Sequence, residues 1–194
     1  MLLSYFVTRG RKGGEFGHCR LQLLVKADEP AAALLRQTVD AHRQLLEWLE
    51  GEVPPEQSHD LVVLHRSFYE VARRQSGLQA RAVTLALKDF VQRRRGKIVK
   101  GAPLDEKLYG LKGIELISIA TLSGRVTIPF RVAGYGAEWN GKSPARLLVR
   151  KGVEARHSVQ SHPHPSPPPQ MGEGEYELLI AVDLSVVEGV TASG

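Results

Sequence analysis

Apolar residues recur every three to four positions between residues 28 and 95, a spacing that predicts amphipathic helices. Three helices are expected, at about 28–50, 58–76 and 79–95, with a break at Gly77-Leu78 between the last two. Asp28 and Pro30 suit the first turn of the first helix, because Asp caps the free N–H groups and Pro tolerates that position. His42 falls on the apolar stripe of this helix, which favours a core or boundary position over a ligand role.

Outside that region apolar and polar residues alternate, which predicts strands. The clearest are residues 116–122 and 126–130, separated by the turn pair Ser123-Gly124, and together they predict a β-hairpin. Because Pro129 donates no hydrogen bond to a neighbouring strand, the second strand is predicted to be an edge strand or to end there. Further strands are expected at the following segments: 1–8, 18–25, 145–150 and 176–184. A short helical turn is expected at 135–142.

Composition limits the location and the partners of the protein. The chain has 194 residues and no apolar run or leader pattern typical of membrane insertion, which predicts a cytoplasmic protein with no membrane partner. Cys19 is the single cysteine, so internal disulfides and the usual zinc frameworks are excluded. The net charge of +5 suggests an acidic partner such as nucleic acid, although many proteins simply have basic surfaces.

Basic residues concentrate on and beyond the third predicted helix. Arg81, Lys88 and Arg95 fall within about 40° of one another, opposite its apolar side. A solvated face with cations at the helix C-terminus explains this pattern as well as phosphate contacts do. The candidate nucleic-acid-binding residues are Arg81, Lys88, Arg93, Arg94, Arg95, Lys97, Lys100 and, in the hairpin, Arg125.

Several motifs resemble, in order, the N-terminal part of TnpB proteins, the RNA-guided nucleases of bacterial insertion sequences that are related to type V CRISPR effectors. Their hairpin before the nuclease domain is matched by I-S-I-A-T-L-S-G-R-V-T-I-P-F followed by G-Y. Their first helix is similar to D-E-P-A-A-A-L-L-R-Q-T-V-D-A-H-R-Q-L-L-E-W. Their next helix pair is similar to F-Y-E-V-A-R-R-Q-S-G-L-Q-A-R-A-V-T-L-A-L-K-D-F, although Leu78-Gln79 lacks the family's proline. With gaps, the resemblance covers most of residues 21–150.

The end of the chain resembles the first RuvC-like nuclease motif of that family. Asp183 then matches the first metal-binding carboxylate, and Mg²⁺ is implied for the full-length family, whose two-metal chemistry needs further carboxylates that this chain lacks. Ser185 and Glu188 depart from the family's Gly and Asn. In a second alignment residues 176–184 are only the last strand of the N-terminal barrel, and Asp183 is a surface residue. Both alignments stay open.

These patterns predict an α+β fold, a small barrel-like antiparallel sheet with an inserted three-helix lobe. The sheet is expected from residues 1–27 and 101–184, with the helical lobe at 28–100. A proline-rich loop is expected at 160–174, and residues 185–194 are a candidate start of a RuvC-like domain.

By resemblance, the sheet and the lobe are the wedge and recognition parts of a TnpB-type protein, which hold guide RNA and target DNA. The chain is then a truncated or N-terminal portion of a RuvC-type DNA endonuclease that does not cut alone and needs no cofactor of its own. The alternative is a stand-alone nucleic-acid-binding or regulatory protein derived from a transposon gene. A metabolic enzyme is disfavoured, because the sequence shows no nucleophile–base pair and no cofactor fingerprint.

Overall fold

The computed structural model describes residues 20–57, 59–113, 115–133, 144–151 and 176–183. The three predicted helices are confirmed as α1 (Glu29–Glu52), α2 (Leu61–Ser76) and α3 (Ala80–Arg94), with a short 3-10 turn at Pro55–Gln57. Asp28 caps α1 by accepting the N–H of Ala31 at 3.1 Å, and Asp60 caps α2 in the same way. Gly77, with a φ of 64°, ends α2. Local sequence signals therefore set the start of α1 and both ends of α2, although α2 begins about three residues later than the sequence predicts.

Seven strands within the described ranges form one antiparallel, nearly closed barrel-like sheet, which confirms the predicted α+β class. Its order is β2-β6-β7-β1-β5-β4-β3, so strands from both ends of the chain meet at its centre. The two outermost strands, β2 and β3, are consecutive in the chain and are too short to show an alternating pattern in the sequence. The strands are β1 (Arg20–Val25), β2 (Ala102–Leu104), β3 (Tyr109–Lys112), β4 (Leu116–Thr121), β5 (Gly124–Ala133), β6 (Ala145–Lys151) and β7 (Tyr176–Asp183).

The position of Pro129 contradicts the expectation that its strand is an edge strand or ends there. β5 continues to Ala133 and lies between β1 and β4. Pro129 is opposite Leu116, the last β5 pair with β4, whereas the next residue, Phe130, pairs with Val25 of β1. Pro129 thus sits where β5 changes partner. At such a junction a missing N–H interrupts no continuous ladder, which makes proline acceptable in an interior strand.

The hairpin turn also lies one residue earlier than the sequence predicts. Leu122 and Ser123 form the two-residue connection, while Gly124 is already the first residue of β5 and pairs with Thr121. Gly124 has a φ of 115°, a conformation that residues with a Cβ rarely adopt.

Two apolar cores hold the fold together, one inside the barrel and one between the helices. The barrel core is closed by the N-terminal half of α1 through Ala32 and Leu35. Two polar contacts also fix the helices to the hairpin turn: the hydroxyl of Thr38 accepts the Leu122 N–H at 3.3 Å, and the Gln79 amide donates to the Thr121 carbonyl at 3.1 Å. The helical lobe is therefore seated directly on the sheet.

Four predicted segments lie outside the described residues. They are the strand at 1–8, the short helical turn at 135–142, the proline-rich loop at 160–174 and the candidate start of a nuclease domain at 185–194.

Candidate nucleic-acid interface

The lysines of the predicted basic cluster are exposed. Lys88 lies on the outer side of α3, and Lys97 and Lys100 lie in the segment that connects α3 to β2. Among the described residues, none of the three has a hydrogen-bond or ion-pair partner. An ammonium group in this situation remains available to an external phosphate.

Two of the predicted arginines instead hold helices together. The guanidinium of Arg94 lies 2.9 Å from a carboxylate oxygen of Glu50 and donates to the Glu50 carbonyl at 3.1 Å. Arg93 reaches the same carboxylate at 3.6 Å, and Arg94 also stacks over the ring of Phe90, 5.1 Å from its centroid. These contacts tie the end of α3 to the end of α1, so the positive charge of Arg93 and Arg94 is partly neutralised.

The remaining predicted arginines also have partners within the chain. Arg81 forms an ion pair with Asp105. Arg95 donates to the His59 carbonyl at 3.2 Å, which connects the end of α3 to the residues before α2. Arg125 donates to the Ser118 hydroxyl and carbonyl and to the carbonyl of Lys107. Of these three arginines, Arg125 makes the most hydrogen bonds within the protein, and its guanidinium connects neighbouring parts of the sheet.

The charges of the helical lobe are sharply divided. Residues 61–100 contain ten Arg and Lys against two acidic residues, Glu70 and Asp89, whereas residues 29–60 contain two against seven. Since α2 and α3 are joined by only Gly77, Leu78 and Gln79, they form one strongly basic helical hairpin.

The sequence reasoning missed the arginines of α2. Arg66, Arg73 and Arg74 are exposed and have no partner among the described residues. Arg66 and Arg73 are seven residues apart, which is close to two helical turns and places them on one face. That spacing is visible in the sequence and is the signal that could have identified this basic face.

A buried polar cluster was also missed, where α1, α3 and β6 meet. Asp89, only 8% exposed, accepts from both terminal nitrogens of Arg146, at 2.6 and 2.9 Å. His42 is 3% exposed, and its Nε2 lies 3.2 Å from the same carboxylate oxygen. This His–Asp distance is within ion-pair range, but the angles do not satisfy a hydrogen bond, so His42 Nε2 is buried without a hydrogen-bond partner among the described residues. Burial of His42 confirms its predicted core or boundary position.

An open groove of about 610 Å³ separates α1 from the segment after α3. Its walls combine apolar and charged side chains, and His42 contributes to its lining. Ile98 projects beside it and is 86% exposed. The groove borders the predicted basic cluster through Arg93 and Lys97.

Asp183 is the last residue of β7 and lies opposite Arg20 of β1 in the ladder. β7 is an interior strand of the barrel sheet, between β6 and β1, which is the arrangement expected from the second alignment of this segment. Within the described ranges no three His, Cys, Asp or Glu residues come together as a metal-binding group. The metal-binding role of Asp183 stays a prediction.

No helix in the described part of the chain is both long and apolar enough to cross a membrane. No protein-family model matches the sequence, and no significant match is found among curated proteins or solved structures. The resemblance to TnpB proteins therefore rests on the sequence motifs alone.

Proposed function

We propose that this chain is the nucleic-acid-binding N-terminal portion of a TnpB-like, RNA-guided DNA endonuclease, and that it does not cleave nucleic acid by itself. Guide RNA and target DNA are the proposed partners, and Mg²⁺ belongs to the full-length family. The motifs quoted above support the family assignment, and the order of helices and strands is compatible with a wedge-like barrel that carries a recognition-like lobe.

One observation carries the binding part of the proposal. Of the ten basic side chains in residues 61–100, six have no partner in the described structure, and all six are on α2, on α3 or in the segment that follows. Cations that were needed only for stability would be expected to pair with the acidic residues of α1, as Arg93 and Arg94 do with Glu50. A concentrated set of unpaired cations is the electrostatic signature of a phosphate-binding surface.

The lysines provide the sharpest test, because replacing Arg93 or Arg94 would also remove contacts within the fold. We expect Lys88→Ala/Lys97→Ala/Lys100→Ala to weaken binding of a structured RNA. The log–log salt dependence should become shallower by about 2 to 3, since each phosphate contact contributes about 0.7–0.9 to the slope. The measurement is fluorescence anisotropy of labelled RNA between about 50 and 200 mM salt.

A matched control removes the same charge from elsewhere. Lys26, Lys107 and Lys112 are exposed and lie at or between the strands of the sheet, so their triple alanine variant should change the slope much less. Equal effects of the two variants would show that only net charge matters. Absence of RNA binding at low salt would refute the proposal.

The stand-alone nucleic-acid-binding protein remains the second candidate, because the unpaired cations do not depend on the family resemblance. A TnpB-like portion should prefer structured RNA over duplex DNA of equal length, since its relatives hold a folded guide. Equal affinity for the two would favour the stand-alone protein.

A further inference from the structure

The outer face of α2 carries an exposed aromatic pair. The rings of His65 and Tyr69 are stacked, with centroids 4.4 Å apart and planes 16° from parallel. His65 is exposed and Tyr69 is partly buried, so one side of the pair is accessible to solvent. Within an isolated helix such an i,i+4 contact adds little stability, so stability alone is a weak reason for two stacked rings at the surface.

Unpaired cations lie on the same face of the helix. Val62, Arg66, Tyr69 and Arg73 fall within an arc of about 60° at the helical repeat. Arg66 and Arg73 have no partner among the described residues, and Val62 is 76% exposed. The two guanidinium groups originate about 10 Å apart along the helix axis, Arg66 one residue after His65 and Arg73 about one turn beyond Tyr69. His65 itself lies about 40° beyond Tyr69, at the edge of this arc.

We infer that this face of α2 binds single-stranded nucleic acid, with an unpaired base stacked on His65 and with Arg66 and Arg73 in contact with nearby phosphates of the same strand. This inference rests on the proposed function. It adds that the bound nucleic acid is single-stranded and that the outer face of α2 is the surface that binds it. Each part of the surface matches one part of a nucleotide: the rings match the base and the guanidinium groups match the phosphates.

A single strand fits this face better than a duplex does. In a duplex the flat faces of the bases are covered by their neighbours, whereas an unpaired base can stack on an aromatic side chain, histidine included. Every base has such a face, so the site should tolerate different sequences and should accept either RNA or DNA.

The test uses the full chain with labelled oligo(dT) and oligo(U) of about 15 nucleotides, a length close to the larger site sizes of single-strand-binding proteins. We expect His65→Ala to weaken binding of both by about 5- to 150-fold, the equivalent of about 1–3 kcal/mol for one stacked base. The salt slope should stay unchanged, because stacking neutralises no phosphate. Arg66→Ala should instead make the slope shallower.

Two further variants make the result specific to stacking. His65→Trp should retain or increase the affinity, since it restores a larger aromatic face at the same exposed position. His59→Ala is the matched control: this histidine is exposed just before α2, and its contact with Arg95 uses the backbone carbonyl, which alanine preserves. Its affinity should equal that of the wild type.

The outcomes separate this inference from the proposed function. If the oligonucleotides bind but His65→Ala binds as tightly as His59→Ala, the stacking surface is refuted while nucleic-acid binding stands. The same conclusion follows if His65→Ala weakens a duplex of equal length as much as it weakens a single strand. If neither oligonucleotides nor structured RNA bind at low salt, both proposals are refuted.

Discussion

Replacing Asp89 with alanine should be among the most damaging single substitutions in this protein. Asp89 lies in α3 and is the only acidic partner, among the described residues, of both Arg146 and His42. Its carboxylate oxygen is 2.6 Å from one Arg146 nitrogen and 3.2 Å from His42 Nε2. Since the three side chains come from α1, α3 and β6, their contacts connect the helical lobe to the barrel.

The expected loss is about 3 kcal/mol. Removing one member of a buried ion pair costs about 3–5 kcal/mol, because the other charge is left desolvated and unpaired. The lower end applies here, since the side chain of Arg146 is 29% exposed and can turn toward water. Set against a typical stability of about 5–15 kcal/mol, this loss is large.

Urea unfolding followed by circular dichroism measures this loss as a shift in the transition. Asp40→Ala is the matched control: Asp40 pairs with Arg43 on α1, but both side chains are largely exposed, so the change should be below about 1 kcal/mol. The double variant Asp89→Ala/Arg146→Ala should lose less stability than the two single losses added together. In the double variant no charged partner is left buried and unpaired. A loss for Asp89→Ala no larger than that for Asp40→Ala would refute the reasoning.

Three further predictions address the backbone, the catalysis and the proline-rich segment. Gly101→Ala should destabilise the fold far more than Gly96→Ala in urea unfolding. Both glycines have a positive φ, 68° and 77°. A Cβ at Gly101 would lie 2.2 Å from the Leu147 carbonyl oxygen, whereas a Cβ at Gly96 would meet nothing within 4 Å. The 194-residue chain with Mg²⁺ or Mn²⁺ should cleave no nucleic acid, and metal-dependent cutting that Asp183→Ala abolishes would contradict this. Deleting residues 161–172 should leave stability nearly unchanged, because a doubling of loop length costs only about 0.6 kcal/mol; a loss of several kcal/mol would show that the segment packs on the fold.

The elements that could be predicted from the sequence are those specified by local physics. The helical spacing of leucines, the Asp28 cap and the break at Gly77 act within one or two turns, and the structure confirms all three. The position of β5 depends instead on which strands lie beside it. The missing N–H of Pro129 predicts an edge strand or the end of the strand, because a sequence does not show where a strand changes partner.

The same distinction between local and long-range interactions explains which parts of the candidate site could be predicted. Charge could be counted from the sequence, but the partners of each charge depend on distant segments: Glu50 is more than forty positions from Arg93 and Arg94, and Asp89 is still further from Arg146. A cluster of adjacent arginines therefore looks like a phosphate-binding surface in the sequence and is in part a helix clamp in the structure. The arginines of α2 are spread over two turns and are less conspicuous in the sequence, and they have no partner among the described residues.

The distribution of arginine and lysine on α3 supports a division between side chains that hold the fold together and side chains that are available to an external phosphate. On α3 and in the segment that follows, every basic residue that has a partner among the described residues is an arginine, and every one without such a partner is a lysine. A planar guanidinium can satisfy several fixed acceptors at once, whereas a lysine ammonium on a flexible stem suits a mobile or external charge. By this criterion Arg66 and Arg73 are informative exceptions, since they are exposed arginines with no fixed acceptor among the described residues. An arginine that fixes nothing in its own fold is well suited to the phosphates of a bound strand, so the outer face of α2, rather than the arginine-rich end of α3, is the surface where nucleic-acid contacts should be sought first.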